Sequence, residues 1–195
     1  KADVDGLWLD PRTRTPEASI EVLIPDFQGK DAPLYAVLDA GPDILNHNTE
    51  TVPRLYRLAR SGGRYARTLE LLDRSRRYAP RIATKSGIML GLGETEDEVL
   101  ATLRDLKDVG VDIVTLGQYL RPSFKHLPVA EYVTPDRFER LGAAARALGF
   151  GFVASGPLVL MVHPSVPVES AKELVQYLKA NPGKLNYAGS DQFTY

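Results

Sequence analysis

The sequence predicts an α/β protein in which helices cover a parallel β-sheet. From about residue 20 onwards, short runs rich in β-branched residues alternate with longer segments of helical spacing, and this alternation is typical of such a sheet. One of the short runs, Val111 to Leu116, is apolar except for Asp112 and Thr115, as expected of a strand that is covered on both faces. The length of 195 residues is enough to bury roughly 70% of the surface of the unfolded chain.

Five strands and the helices between them follow in chain order. The predicted strands are Ile20 to Ile24, Asp43 to Asn46, Ile82 to Leu90, Val111 to Leu116 and Gly151 to Ser155. The predicted helices are Asp31 to Ala40, Val52 to Arg60, Tyr65 to Tyr78, the segment from Thr95 to Gly110, and Thr134 to Leu148. Thr95 and Glu98 have the spacing of a capping box, which satisfies two backbone amides at the start of a helix. Gly110 stands where a helix-ending glycine is favoured.

The sequence pattern changes after residue 156. Leu158 to His163 has a strand pattern, Ser170 to Ala180 is an amphipathic helix, and Lys184 to Ala188 has the pattern of another short strand. This tail is either one more βαβ unit or the beginning of a different domain. We therefore predict three parts: an unassigned segment at 1–19, an α/β domain at 20–156 and a strand-helix-strand tail at 157–195.

Net charge and cysteine content exclude several classes of function. Twenty-four basic and 25 acidic side chains leave a net charge of -1, which offers no general electrostatic attraction to nucleic acid or to an anionic membrane. The chain has no cysteine. Its own residues therefore cannot form a disulfide, a Cys-ligated zinc site, a thiolate nucleophile or a Cys-ligated iron–sulfur cluster. Its three histidines are far apart and lack H-E-x-x-H spacing, so no metal site is predicted.

The sequence predicts neither a membrane span nor a targeting segment. The most apolar run, Phe150 to His163, is interrupted by Gly and Pro and is too short to cross a bilayer. The first residues, KADVDGLWLDPRTRTPEA, have neither the apolar centre of a signal peptide nor the Arg- and Ser-rich, acid-poor composition of a transit peptide.

Polar side chains follow four of the predicted strands, at the ends where parallel α/β sheets bind their ligands. Asp26 follows the first strand. Amide, imidazole and carboxylate groups follow the second, where they would suit the hydroxyls of a ribose. Lys85 lies within the third strand, which ends in a Gly-rich turn that would let a ligand approach the backbone. The candidate binding residues are Asn46, Asn48, Glu50, Lys85, Ser86, Gly91, Gly93, Glu94, Gln118 and Tyr119. We predict no catalytic and no metal-ligating residue.

These candidates also have structural interpretations. The segment Gly91 to Glu94 could be only a tight turn between a strand and a helix. Lys85 could belong to a structural ion pair, because a lysine is almost never buried without a partner. The segment after the second strand could cap the next helix through Asn48 or Thr49, and His126 could be a surface residue.

Five sequence blocks together carry a resemblance to a known family. They are IEVLIPDF (Ile20 to Phe27), NHNTETVPRLY (Asn46 to Tyr56), TKSGIMLGLGET (Thr84 to Thr95), VDIVTLGQYLRPSFKHLPVAEYVTP (Val111 to Pro135) and GFVASGPLV (Gly151 to Val159). In order and spacing, over residues 20–159, these blocks resemble the carboxyl-terminal half of lipoyl synthase. Lipoyl synthases are radical S-adenosylmethionine (SAM) enzymes with a partial α/β barrel, and they insert two sulfur atoms into a protein-bound octanoyl chain.

The resemblance implies a partial (β/α) barrel of radical SAM type, truncated on its amino-terminal side. It implies S-adenosylmethionine and two [4Fe–4S] clusters as cofactors, one cluster to cleave S-adenosylmethionine and the other as sulfur source. The implied partner is an octanoylated lipoyl-carrier domain or H protein in the cytoplasm, with no nucleic acid and no membrane. By position, Asn46, Asn48 and Glu50 would lie near the ribose and methionyl groups of S-adenosylmethionine, and residues 87–94 along its adenosyl side. Lys85, Gln118 and Tyr119 would line the same cavity.

Departures from the family predict that this chain is inactive alone. The family holds its clusters with a C-x-x-x-C-x-x-C set and a second cysteine triplet, both in the amino-terminal half, which is missing from this chain. The family also continues GPLV into an Arg-Ser-Ser-Tyr element whose serine ligates the auxiliary cluster, whereas here Val159 is followed by Leu-Met-Val. Residues 1–19 are likewise unlike the family.

The tail resembles a second family. The segment PLVLMVHPSVPVESAKELVQYLKANPGKLNYAGS, Pro157 to Ser190, is similar to the periplasmic substrate-binding proteins of tripartite tricarboxylate transporters, which are two-lobed and bind carboxylates in a cleft. The two resemblances share only Gly-Pro-Leu-Val at their junction, which indicates a chimeric chain. The alternatives to a lipoyl synthase-like half barrel are therefore a non-enzymatic carboxylate-binding module and a chimeric chain with no complete function.

Overall fold

The computed structural model describes residues 16–156, 162–163 and 165–184, and the sheet within them is parallel throughout. Five strands lie side by side in the order β1-β2-β3-β4-β5. They are β1 (Glu21–Leu23), β2 (Ile44–Asn46), β3 (Ala83–Leu90), β4 (Ile113–Gln118) and β5 (Phe152–Gly156). Each neighbouring pair is parallel, so the predicted α/β class with a parallel sheet is confirmed.

Helices follow the strands, and polar side chains cap several of them. The helices are α1 (Asp31–Asp39), α2 (Tyr56–Ala59), α3 (Tyr65–Tyr78), α4 (Glu96–Asp108), α5 (Pro135–Ala147) and α6 (Ala171–Ala180). The predicted capping box of α4 is confirmed, since the side chains of Thr95 and Glu98 each accept a hydrogen bond from the other's backbone amide. Thr134 caps α5 by accepting from the amide of Arg137.

One face of the sheet packs against the helices and carries the hydrophobic core. Alternate side chains of a strand point to opposite faces, and on this face Ile88, Leu90, Val114 and Leu116 are each at most 3% exposed. The helices contribute Leu34, Leu38, Leu71, Leu72, Leu103, Leu106, Phe138 and Leu141 to the same core. Full burial of one such side chain stabilises the fold by about 1.5–3 kcal/mol. The core therefore fixes the positions of the strand ends.

The other face of the sheet, called the second face below, carries polar residues at its centre. The register sets Leu23, Asn46, Lys85, Ile113 and Phe152 opposite one another in consecutive strands, so these five residues form a row on that face. At the two ends of the row, Leu23 is 50% and Phe152 61% exposed. The second face thus has an asparagine and a lysine in its interior and an apolar residue at each edge.

The predicted elements within residues 20–156 occur with their ends shifted by up to two residues, and one predicted helix differs in kind. The segment predicted as one helix from Val52 to Arg60 is a 3-10 turn, Pro53–Leu55, followed by the single-turn helix α2. Pro53 lacks a backbone donor in this first turn, and the tighter 3-10 pattern is common at helix ends. Strand β4 continues to Gln118, two residues beyond its predicted end, because these residues still pair with the end of β3.

The chain divides into two compact units, residues 1–158 and 159–195. In the second unit the predicted helix is confirmed as α6, which Ser170 caps by accepting from the amide of Glu173. The predicted strands at 158–163 and 184–188 fall mostly outside the described residues. Within the part of the chain that is described, no helix combines the length and apolar character that a membrane crossing requires.

Candidate functional site

Glu21, Asn46 and Lys85 form a hydrogen-bonded cluster on the second face. Nζ of Lys85 lies 2.9 and 3.0 Å from the two carboxylate oxygens of Glu21, and Nδ2 of Asn46 donates to Oε1 of Glu21 over 2.8 Å. Only 12% of the Lys85 side chain is exposed. The ion pair supplies the partner that a largely buried lysine requires, as the structural interpretation of Lys85 predicts. It fixes this ammonium group near the beginning of β3, beside the end of β2.

The remaining polar atom of this cluster, Oδ1 of Asn46, has no hydrogen-bond partner among the described residues. Asn46 is only 8% exposed, and its Oδ1 is buried and unpaired. A buried acceptor left unpaired costs about 1–3 kcal/mol. A hydroxyl or ammonium group placed against Oδ1 would remove that cost.

The segment after β2 places Asn48 and Glu50 alongside the middle of β3. The amide of Glu50 donates to the carbonyl of Gly87, and the carbonyl of Glu50 accepts from the amide of Met89. Glu50 has a φ of +72°, which is uncommon for a residue other than glycine. Burial raises the pKa of the Glu50 carboxyl, although Arg60 and the Asn48 side chain oppose the rise. Backbone strain and a raised carboxyl pKa at one position are typical of functional sites.

Gly87 allows two polar side chains to approach β3 closely. A Cβ atom at this position would lie 2.8 Å from Oδ1 of Asn48 and 2.8 Å from Oγ1 of Thr115. Thr115 stands opposite Gly87 in β4, and position 87 shares the second face with Lys85 by strand alternation. The absence of a side chain at Gly87 therefore keeps these polar atoms together on the second face.

The Gly-rich turn after β3 is closed by the carboxylate of Glu94. Its two oxygens accept from the amides of Gly91, over 2.6 Å, and Leu92, over 2.9 Å. Gly91 has a φ of +100°, and a Cβ there would lie 2.3 Å from the carbonyl oxygen of Glu131. Gly93 also has a positive φ, of +103°. The carboxylate of Glu94 is thus occupied in holding the turn.

Gln118 and Tyr119 hold the loop that follows β4. Nε2 of Gln118 lies 3.0–3.2 Å from three backbone carbonyl oxygens, and its Oε1 accepts from the amide of Val133 over 2.8 Å. The hydroxyl of Tyr119 donates to the carbonyl of Leu127 over 2.8 Å. The two side chains therefore anchor the loop, and burial raises the pKa of the Tyr119 phenol.

Ser86 lies on the face of β3 that packs against the helices. Its Oγ accepts from the amide of Thr49 over 3.1 Å and is hydrogen-bonded to the Thr49 hydroxyl over 2.8 Å. Ser86 is fully buried. This residue consequently fastens the segment after β2 to β3 from behind the second face.

The structure brings Asn46, Asn48 and Lys85 together at the second face, with Glu50 next to Asn48. Of the other candidates, Ser86 lies within β3 and Gln118 is the last residue of β4. Gly91, Gly93, Glu94 and Tyr119 belong to the turn and the loop that follow these two strands. Sequence reasoning missed Glu21. The signal for it was the same as for Lys85, namely a charged residue inside an otherwise apolar strand pattern. No group of three or more potential metal ligands occurs in the described ranges.

Comparison with known proteins identifies two families. The radical SAM superfamily model matches residues 7–106, and the model of the tripartite tricarboxylate transporter family receptor matches residues 129–194. Lipoyl synthase of Caldanaerobacter subterraneus is 53% identical over 146 residues, which are 75% of this chain and 51% of that protein. Lipoyl synthase of Koribacter versatilis is 56% identical over 148 residues, 76% of this chain and 49% of that protein. The chain spans about half the length of these relatives.

Both resemblances predicted from the sequence are confirmed by these matches. Among solved structures, methylornithine synthase aligns over 77% of this chain and 54% of its own chain, with 17% identity and a TM-score of 0.44.

The radical SAM superfamily model covers more than half of the 195 residues, including the first three strands and the turn that follows β3. Since the match extends over these elements, the chain belongs to the radical SAM superfamily.

Proposed function

We propose that this chain is the carboxyl-terminal half of a lipoyl synthase-type barrel and that its second face binds S-adenosylmethionine. The two lipoyl synthases above, at 53% and 56% identity, support the choice of family. The unpaired Oδ1 of Asn46 beside the Glu21–Lys85 pair is the observation that carries the binding proposal. Buried polar atoms are nearly always hydrogen-bonded, so a ligand donor is the natural partner of this acceptor.

The groups around the second face fit S-adenosylmethionine, which has ribose hydroxyls, an ammonium group and a carboxylate. Asn46 Oδ1 and the Glu50 carboxyl can accept from hydroxyl or ammonium groups, and Lys85 and the Asn48 amide can donate to oxygen atoms. Residues 87–94 would lie along the adenosyl group, with Ser86, Glu94, Gln118 and Tyr119 holding the surrounding segments. When bound, S-adenosylmethionine supplies the radical chemistry of the superfamily. An octanoylated lipoyl-carrier domain or H protein is the proposed partner of the whole protein.

The iron–sulfur clusters of the family do not fit this chain. Thiolates are the usual ligands of such clusters, and the 195 residues contain no cysteine. The described residues also contain no cluster of histidines and carboxylates that could replace them. We infer that the 195-residue chain does not insert sulfur by itself.

Reconstitution of the purified chain with iron and sulfide is expected to give no cluster absorbance. The expected cause is the lack of thiolate ligands, and S-adenosylmethionine should remain uncleaved under reducing conditions. The measurement is the visible absorption spectrum, followed by chromatography of the nucleoside products. Lipoyl synthase of Caldanaerobacter subterraneus, treated in parallel, is the positive control. Either a cluster spectrum or a cleavage product from the 195-residue chain would contradict the inference.

S-adenosylmethionine is expected to stabilise the chain. At 100 times its Kd the ligand should add about 2.7 kcal/mol to the free energy of unfolding, which corresponds to a rise in Tm of about 5–10 °C for a protein of this size. Replacing Lys85 by methionine removes the ammonium group and should reduce the rise. The control is Lys107→Met, since Nζ of Lys107 contacts the carbonyl of Gly149 ahead of β5. A Tm unchanged by millimolar ligand would refute the proposed binding.

A second candidate function is recognition of a tricarboxylate through the tail. The match of the transporter receptor family to residues 129–194 favours it. Citrate would then raise the Tm, and the Lys85→Met variant would respond as strongly as the parent chain. If citrate has no effect while S-adenosylmethionine stabilises the chain, this second function is eliminated.

A further inference from the structure

A chain of buried hydrogen bonds lies on the helix side of β2, behind the second face. Nδ1 of His47 lies 2.9 Å from the carbonyl oxygen of Ile24, and Nε2 lies 3.2 Å from Oγ1 of Thr68. The same Oγ1 lies 2.8 Å from the hydroxyl of Tyr56. Nη1 of Arg60 completes the chain by donating to the Tyr56 hydroxyl over 3.1 Å. His47 is fully buried, and Thr68 and Tyr56 are at most 2% exposed.

The chemistry of the two end groups fixes the direction of every bond in this chain. The carbonyl of Ile24 can only accept, so Nδ1 of His47 must carry the proton, which leaves Nε2 of the neutral ring as an acceptor. The Thr68 hydroxyl must then donate to Nε2, and it has no second proton to give. Tyr56 therefore donates to Thr68, and its oxygen accepts from Arg60, which is always a donor. Burial lowers the pKa of His47 to about 4, in agreement with a neutral ring.

The two ends of this chain are tied to the segment that carries Asn48 and Glu50. Nη1 of Arg60 also donates to the carbonyl of Asn48 over 2.7 Å. The backbone amide of His47 donates to the carbonyl of Lys85 over 3.0 Å. The backbone before the 47–48 peptide bond is therefore hydrogen-bonded to β3, and the backbone after it is hydrogen-bonded to Arg60. Glu50, two residues further on, has a φ of +72°. A strained residue of this kind persists only where its surroundings fix it.

We propose that the one-way hydrogen-bond chain Arg60–Tyr56–Thr68–His47 positions Asn48 and Glu50 for the ligand of the second face. The inference rests on the proposed binding of S-adenosylmethionine and adds positioning residues that do not touch the ligand. The chain holds the peptide of Asn48 in one orientation before binding. Loss of that orientation lowers the fraction of molecules that can bind, and the apparent affinity falls by the same fraction.

Thr68 is the link whose removal tests the proposal most directly. Thr68→Val removes the hydroxyl and keeps the shape, so His47 Nε2 loses its donor and the Tyr56 hydroxyl loses its acceptor. Thr68→Ser restores the hydroxyl. Ser75→Ala is a matched control, because Ser75 is also buried on α3 and its hydroxyl donates only to the carbonyl of Leu71. Tyr56→Phe removes one of the two acceptors of Arg60 Nη1, so that Arg60 keeps only the Asn48 carbonyl, and it leaves the bond between Thr68 and His47 intact.

Long-range proton–nitrogen NMR spectra of the His47 ring test the bond directions without any ligand. The expected result for the parent chain and for Thr68→Ser is a neutral ring protonated at Nδ1. The preference for this tautomer should be retained in Tyr56→Phe and weakened in Thr68→Val. A parent ring protonated at Nε2 would overturn the proposal at once.

Titration calorimetry with S-adenosylmethionine tests the positioning role. If only about one tenth of the Thr68→Val or Tyr56→Phe molecules hold the Asn48 peptide in the binding orientation, these variants bind about tenfold more weakly. Thr68→Ser and Ser75→Ala should bind like the parent. If Ser75→Ala weakens S-adenosylmethionine binding as much as Thr68→Val does, Thr68 acts only through packing and the proposal is overturned.

Hydrogen exchange separates failure of this inference from failure of the proposed function. The amide of Glu50 is expected to exchange about tenfold faster in Thr68→Val than in Thr68→Ser or Ser75→Ala. If the parent chain binds no S-adenosylmethionine, the proposed function fails. Faster exchange of Glu50 in that case still supports the positioning chain, and unchanged exchange refutes it.

Discussion

Lowering the pH from 6.5 to 4 is expected to reduce the free energy of unfolding by about 3 kcal/mol relative to a His47→Gln variant. Burial lowers the pKa of His47 from the ordinary value of 6.5 to about 4. Between these two values the unfolded chain binds a proton at His47 that the folded chain does not, so acid favours unfolding. Above pH 6.5 the contribution of His47 to the free energy of unfolding is constant. Below pH 4 it falls no further, because His47 is then protonated in both the folded and the unfolded chain.

Other charged groups near His47 act on its pKa in opposite directions. Arg60 lowers it, whereas Asp26 and the hydrogen bond to the Ile24 carbonyl raise it, but burial outweighs them. Burial raises the pKa of the Asp26 carboxyl, yet its hydrogen bonds hold it below the ordinary value. Glu50 has a raised pKa, so its own contribution to stability falls as the pH rises. Both carboxyls remain in His47→Gln, so the difference between the two proteins isolates the imidazole.

The measurement is urea unfolding of both proteins at pH 4, 5, 6 and 7, followed by circular dichroism. Between pH 7 and pH 4 the free energy of unfolding of the parent should fall by about 3 kcal/mol more than that of His47→Gln. Parallel curves would mean that His47 has the same pKa in the folded and the unfolded chain, contrary to the lowering of its pKa by burial.

Gly91→Ala is expected to destabilise the chain by about 2–5 kcal/mol. The added Cβ would lie 2.3 Å from the carbonyl oxygen of Glu131 and 2.5 Å from Nε2 of Gln118, at a φ of +100°. The first of these atoms belongs to the backbone, so relief requires movement of the loop after β4. That movement would break the hydrogen bonds that join Gln118 to Glu131 and Val133 and so hold the loop.

Gly62→Ala is the matched control for this prediction. Gly62 also has a positive φ, of +80°, but nothing lies within 4 Å of a Cβ built there. Its substitution should therefore cost only the backbone strain, about 1–2 kcal/mol. The midpoint of urea unfolding measures both losses. Equal losses for the two variants would show that the loop moves aside freely and that the close approach has no energetic role.

The strands and helix starts were predictable because their signals are local. The apolar pattern of β4 and the pair Thr95 and Glu98 depend on neighbours a few residues away. The prediction of a single helix from Val52 to Arg60 was wrong in detail. The spacing of apolar residues does not show how strongly Pro53 favours a tighter first turn.

The candidate site was predictable in position but less so in its contacts. Asn46 could be expected at the ligand-binding edge because it ends β2, whereas Lys85 lies near the beginning of β3 and meets Asn46 only through the register of the two strands. The partner of both, Glu21, could not be identified, because register is set by packing across the whole sheet. Nor could the sequence show that Gln118 bonds the backbone of Glu131 and Val133 in the loop after β4, because that contact depends on how the loop folds back.

The Glu21–Lys85 pair also constrains how the binding site comes into existence. The two residues are 64 positions apart and stand on β1 and β3, with β2 between them. Contacts of such high sequence separation form late, after two crossovers have closed their loops. A fragment that ends before β3 would contain Asn46 and Glu21 but no counter-ion for the glutamate. Ligand binding at the second face would therefore report completed assembly of three strands, and it could serve as a kinetic probe of that assembly.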